Sequence, residues 1–305
     1  MNKLFRIVCL GLSVFSFLPV RACDVCGCVS NSGYTGLVQG VQGHMAGLRM
    51  RFQHFRHPAS SFHETGQVRV TEDVQMGFDV WGRWQPHVRW QVWANLPVKH
   101  HIRLDESGYS EATGIGDGQL TFLWEAVSRK DTAQTPTFRW WLGGGVQLPT
   151  GKTGLRDRFG LLFPMWFQPG TAVWGGLFQT TVAWQKGVWG VQGDFRLKHS
   201  FSHPNGDRPG FQSGLYGMVF RSFTRPKGRW LPQAGLALDY FARDHVNGVR
   251  DEASGGLFGF GQLGIEWLGS RWFGQMQVRI PLGQIRPATQ PGNTLVGWLG
   301  LGYRW

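Results

Sequence analysis

Three cysteines fall within six residues, Cys23-Asp-Val-Cys26-Gly-Cys28. Thiolates at that spacing can converge on one soft cation such as Cu or Zn, and Gly27 lets the backbone fold tightly enough to bring the sulfurs together. The same thiols allow two other fates: one disulfide with a spare thiol, or lipidation of Cys23. A Cys26–Cys28 bridge is strained by its short spacing, and Arg21 is an awkward residue before a lipid-bearing cysteine. Imidazoles add an independent set of ligands. The pairs His54/His57 and His100/His101 are expected on long connections or at the strand ends beside them, where they could begin a binding rim. Polar loops of a basic chain also carry histidines without any metal. The metal candidates are therefore Cys23, Cys26, Cys28, His54, His57, His100 and His101, and the rest of the sequence requires no cofactor.

Other chemistry is excluded by context. Leu148-Pro-Thr-Gly-Lys-Thr153 looks like the end of a phosphate-binding loop, but that motif needs glycine five positions before Gly151, where Val146 stands, and a helix after it. Gly-x-Gly steps such as Gly114-Ile-Gly116 and Gly259-Phe-Gly261 lack the strand-to-helix setting of a dinucleotide site. No grouping of Ser, His and Asp suggests hydrolysis, and the chain is not expected to be an enzyme.

The elements that must carry these residues are strands. The 305 residues include 45 Gly, 16 Trp and 22 Phe, with 16% charged residues and a formal charge of +12. A mean hydropathy of −0.22 excludes a bundle of transmembrane helices, which needs several apolar runs of about 20 residues. Only one apolar run exists, Ile7 to Val20, preceded by Lys3 and Arg6 and followed by Val20-Arg21-Ala22. That pattern predicts a secretory signal peptide over 1–22. Export removes the nucleic-acid reading that so basic a chain invites in the cytoplasm. The organisation expected is a signal peptide over 1–22, a Cys-containing segment over 23–42, in the periplasm or plugging a lumen, and a barrel over 43–305.

Twelve segments alternate apolar and polar residues as two-faced strands do: 44–54, 73–84, 88–96, 117–127, 137–148, 172–184, 188–199, 211–223, 231–242, 256–267, 271–282 and 294–305. Those at 211–223 and 256–267 are the least regular. Short joins (85–87, 128–136, 185–187, 224–230, 268–270) alternate with long ones (55–72, 97–116, 149–171, 200–210, 243–255, 283–293). An even strand number with alternating short and long joins predicts an all-β, antiparallel, up-and-down outer-membrane barrel, its short turns periplasmic and its long loops extracellular. Trp84, Trp184, Trp267, Tyr303 and Trp305 near strand ends suit the lipid headgroup level. The face opposite the apolar one then lines the lumen. It carries Arg49, Arg51, Arg83, Arg89, Arg139, Arg196, Lys198, Arg279 and Arg304 against Asp79, Asp117, Glu125, Asp194, Asp239 and Glu266. Nine bases against six acids make a mildly cationic interior, suited either to conduction or to closure by salt bridges.

Two local texts carry a resemblance. Gly114-Ile-Gly-Asp117, with Gly143-Gly-Gly-Val-Gln-Leu-Pro-Thr-Gly151 in the next strand, resembles outer-membrane barrels described as transporters of the phenol-degradation meta-pathway type. The Cys-Asp-x-Cys-Gly-Cys start resembles a group of barrels from Bacteroidota. The last strand, with Leu295, Leu299, Leu301 and Tyr303 on one face and aromatic Trp305 at its end, resembles the segment that barrel-assembly machinery reads. Together these imply a transporter-like barrel in the outer membrane of a Gram-negative cell, its partners lipid and a small solute. That solute could be a transition metal such as copper, or a small hydrophobic or aromatic compound. A closed structural barrel with partner-binding loops is the remaining alternative.

Overall fold

The structure, a computed structural model, describes residues 41–56, 72–105, 108–129, 137–157, 159–163, 165–287 and 290–305. The expected signal peptide, the three mature cysteines and His57 lie outside the described residues. The chain runs through β1 (Met45–Arg56), β2 (Glu72–His87), β3 (Trp90–Asp105), β4 (Gly108–Ile115), β5 (Gln119–Arg129), β6 (Thr137–Gln147), β7 (Gly175–Lys186) and β8 (Trp189–Ser200). It continues through β9 (Gln212–Arg221), β10 (Phe223–Arg225), β11 (Gly228–Phe241), β12 (His245–Val246), β13 (Val249–Arg250), β14 (Gly256–Leu268), β15 (Trp272–Ile285) and β16 (Gly292–Arg304). Twelve of them, β1–β3, β5–β9, β11 and β14–β16, form the wall. β1 pairs antiparallel with β16 and β9 with β11, so the sheet closes on itself. Closure removes the open edges of the twelve-stranded wall, the condition for crossing lipid with strands.

Alternation sets the two faces. Leu48, Phe78, Val80, Leu215, Leu236, Leu263, Met276 and Leu299 are exposed on the outside, while Arg49, Gln75, Asp79 and Gln262 are buried inside. Tryptophans gather at the short-turn end, where Trp90 lies 6.2 Å from Trp124 and Trp230 lies 6.3 Å from Trp267. Tyr303 and Trp305 stack beside them at 6.2 Å. An amphipathic ring at the end of an apolar strand face is what a lipid interface favours. β9 and β14 read irregularly in sequence because both their faces are apolar: Tyr216, Met218, Phe220, Phe258 and Phe260 point inward, opposite Leu215, Val219 and Leu263.

All twelve expected strands are present, with their ends moved. The first hairpin turns at Val88–Arg89 rather than at 85–87, because His87 pairs with Trp90 after a register shift. Arg89 is therefore an exposed turn residue, not a lumen residue. The connection expected at 97–116 is largely strand: β3 runs on to Asp105, and β4 returns along it from Gly108 paired with Asp105 to Ile115 paired with Val98. β5 takes over as the partner of β3 from Asn95 downward. Between β4 and β5 the wall breaks at Gly116, Asp117 and Gly118.

Candidate functional site

The break turns Asp117 into the barrel, where it is 1% exposed. Its carboxylate accepts four hydrogen bonds: from Gln147 Nε2 (3.1 Å), Gly151 N (3.1 Å), Thr171 N (2.9 Å) and Thr171 Oγ1 (2.7 Å). These donors bracket the connection between β6 and β7. Thr150 adds a second tie, its Oγ1 accepting from Gly118 N at 2.8 Å and donating to Gly116 O at 3.2 Å. Gly151 and Gly170 meet back to back, so closely that a Cβ on Gly151 would stand 2.4 Å from the Gly170 Cα. Only glycine permits that approach. The two ends of the loop are thus pinched together on one buried carboxylate, and the Gly-x-Gly-Asp and Leu-Pro-Thr-Gly texts are the two halves of the clamp.

What the clamp holds is folded inward. Residues Met165–Phe167 form a short 3₁₀ turn. Phe167 is fully buried on the inner face of β3 and β4, 4.7 Å from Phe163 and 5.6 Å from the His101 ring. His101 Nδ1 lies 2.9 Å from the Phe167 carbonyl oxygen. Arg103, bonded through Nε and Nη2 to Asp73 at 2.9 and 3.1 Å, lays its guanidinium over Trp166 and Phe167 at 4.9 and 5.0 Å. Gln168 ties the loop to itself through Leu155 and the Phe163 carbonyl. Outside this constriction a cavity of about 710 Å³ opens between the loop and the connections after β8 and β11, with Trp166, His203, Asp207 and Asp244 on its walls. Those two connections are locked together by Asn247 N donating to Asp207 (2.7 Å) and Gly210 N donating to Asp244 (2.6 Å).

Midway down, the lumen has two unlike walls. On one, the long arc from β1 round to β8, Asp79 accepts from Arg49 (2.9 Å) and Arg51 (2.8 Å), and Asp194 at its far end accepts from Thr181 Oγ1 (2.6 Å) and Gln192 Nε2 (2.9 Å). On the other, Arg279 lies between the rings of Tyr216 and Trp298 at 4.6 and 4.7 Å, amid Phe241, Phe258 and Phe260. Asp239 accepts from Tyr216 OH at 2.6 Å and lies 3.5 Å from Arg279 Nη1. Glu266 accepts from Gln233 at 3.2 Å, and Arg139 lies 3.6 Å from Glu125.

Apolar side chains gather inside the barrel at the short-turn end. Met45, Trp81, Trp93, Leu123 and Phe273 form a buried cluster with Val41 packed against it. Trp81 and Trp93 stack at 5.5 Å. Arg83 holds the chain there, donating through Nη2 to the carbonyls of Val41 (2.6 Å) and Gly43 (2.7 Å) while covering Trp93 at 5.4 Å.

Of the expected lumen residues, Arg49, Arg51, Asp79, Arg83, Glu125, Asp194, Arg196, Asp239, Glu266 and Arg279 are buried inside and Arg139 is half-buried. Arg304 instead lies at the short-turn end, donating to the Ser270 carbonyl. Among the described residues, His54, His100 and His101 are not gathered around one point. His100 and His101 are consecutive on β3 and point to opposite faces: His100 lies 2.7 Å from Thr113 Oγ1 outside, and His101 faces the lumen. His54 lies between Thr294 on β16 and Glu72 on β2. Among the described residues, no three His, Cys, Asp or Glu side chains are grouped to hold a metal ion.

No family model and no curated protein matches the chain. Among solved structures it is similar to the COG4313 outer membrane channel from Pseudomonas putida F1, at 14% identity over 91% of this chain and 100% of that one, with a TM-score of 0.64. The fold is that of an outer-membrane β-barrel. The translocator domain of the autotransporter NalP from Neisseria meningitidis is more distant, at 13% identity over 87% of this chain and 89% of that one, with a TM-score of 0.45.

Proposed function

We propose that the chain is a passive channel for small solutes in the outer membrane of a Gram-negative cell. One observation carries the reading: a closed wall, apolar outside, encloses a charged interior with cavities, and a purpose-built clamp folds one loop into its extracellular mouth. A barrel serving only as a scaffold has no use for four hydrogen bonds spent on an inward loop. A solute enters between that loop and the locked connections opposite, passes between the charged and aromatic walls, and leaves past Trp81 and Trp93. That last barrier is the cluster of Met45, Trp81, Trp93, Leu123 and Phe273, whose side chains must move aside for a solute to leave. The aromatic wall around Tyr216, Phe258 and Trp298 favours a second reading, in which the solutes are apolar. Liposome swelling with the purified chain tests the channel itself. Swelling in small sugars and amino acids supports it, and impermeability to every solute, in the wild type and in loop-released variants alike, refutes it.

A further inference from the structure

The charged level of the lumen and the apolar cluster at the short-turn end share the border of one cavity, about 100 Å³ in volume. The sequence makes room for it on β6. Gly143 and Gly145 take the inward positions between Trp141 and Gln147, in register with Leu123 and Thr121 on β5 and with Gln179 and Leu177 on β7. Neither glycine sends a side chain into the lumen, so those four neighbours border open space where an alternating strand ordinarily fills it.

The walls of the cavity differ in chemistry. Trp81 and Trp93, stacked with an interplanar angle of 24°, give it a flat apolar side. Asn95, Gln119, Thr121, Gln179 and Gln275 give it neutral polar groups on four strands. Arg49, Arg196 and Lys198 also reach the border, but each is engaged within the protein. Asn95 stands in register between Trp81 on β2 and Gln119 on β5. There two buried polar atoms find no hydrogen-bond partner among the described residues: Trp81 Nε1, a donor, and Asn95 Oδ1, an acceptor. Buried donors and acceptors are seldom left in that state, and a bound solute carrying hydroxyls supplies both partners.

Resting on the channel reading, we propose that this cavity is a binding step for small neutral polyols of about three carbons. One hydroxyl accepts from Trp81 Nε1, another donates to Asn95 Oδ1, and the C–H face lies on the indoles. An ion gains no free counter-charge here, and a hydrocarbon leaves the donor and the acceptor unpaired. The volume is of the order of the ~150 Å³ cavity that takes up one benzene ring, so roughly six non-hydrogen atoms fit, a triol rather than a pyranose.

The test is a titration of the isotope-labelled full chain, folded in detergent micelles free of sugar and glycerol, followed through its indole N–H resonances by NMR. The Trp81 resonance is the one lost in Trp81→Phe. Glycerol is expected to move it downfield and saturably. Ethylene glycol dimethyl ether, which accepts hydrogen bonds but donates none, and sodium glycerate, which adds a charge, are each expected to need about ten times the concentration. Asn95→Leu is expected to weaken glycerol about tenfold as well, and the comparison of solutes on the wild type stands even if that variant does not fold. A Trp81 resonance that glycerol leaves in place, or that the ether or glycerate moves at equal concentration, overturns the proposal. Liposome swelling judges the channel separately, so the binding step can fail while the channel stands.

Discussion

Replacing Asp117 by Asn keeps the shape of the loop clamp and removes its charge. If the remaining oxygen stays where Oδ2 lies, it keeps Gln147 Nε2, Thr171 N and Thr171 Oγ1, and the new amide faces the Gly151 N–H, donor against donor. Flipping the amide keeps Gly151 and sacrifices the other three. One bond is lost in the better case, and the other three fall from charge-assisted to neutral strength, a difference of roughly 1 kcal/mol each. Allowing for non-additivity, the anchor loses about 3 kcal/mol, which is a roughly 10²-fold larger population of released loop. Amide hydrogen exchange reads this directly, because Gly151 and Thr171 donate their own backbone N–H groups to the carboxylate. Both amides are expected to exchange about 10²-fold faster in Asp117→Asn, while those of β14 across the barrel keep their wild-type rates. Exchange at Gly151 and Thr171 within threefold of wild type would show that the carboxylate does not hold the loop.

Three further changes probe other parts of the barrel. Gly170→Ala puts a Cβ 2.3 Å from the Gly151 carbonyl carbon, so the loop base must spread, and protease cleavage within 151–170 is expected to accelerate without loss of the folded, heat-modifiable barrel. Asp79→Asn removes the carboxylate shared by Arg49 and Arg51. It is expected to cost about 3 kcal/mol in urea unfolding from lipid vesicles while shifting the zero-current potential in a salt gradient further toward anions. Leu236→Arg places a charge on the outer face midway along β11, where Leu236 is 63% exposed. Unfolding from vesicles should show a loss of about 2–4 kcal/mol, against a near-neutral effect for Leu236→Val.

The wall was legible in the sequence because its physics is local. A strand with lipid on one side and charge on the other must alternate. Legibility failed where both faces of a strand are apolar, as at Tyr216 and Phe260, because alternation then carries no contrast. It failed by two or three residues at Arg89, since a register shift inside a hairpin leaves no mark on composition. The inward loop was invisible for a different reason. Phe163, Trp166 and Phe167 sit in a connection without periodicity, and nothing local tells a buried loop aromatic from an exposed one. The signal that could have found it was present: Asp117 between two glycines and Gly151 after Pro-Thr are unusual at strand ends that need no special turn. Alternation placed Asp117 in the lumen but said nothing of its four donors, which come from positions 30 to 54 residues away. The histidine pair at 100 and 101 was misread as a common rim, although strand geometry sends neighbours to opposite faces.

The channel reading meets its most direct test in single-channel recording from the purified full chain and from Asp117→Asn in planar bilayers. Discrete conductance steps in the wild type, larger or longer-lived in the variant whose loop is released, are the predicted result. Membranes that stay silent with both proteins, each shown folded by heat modifiability, would contradict it.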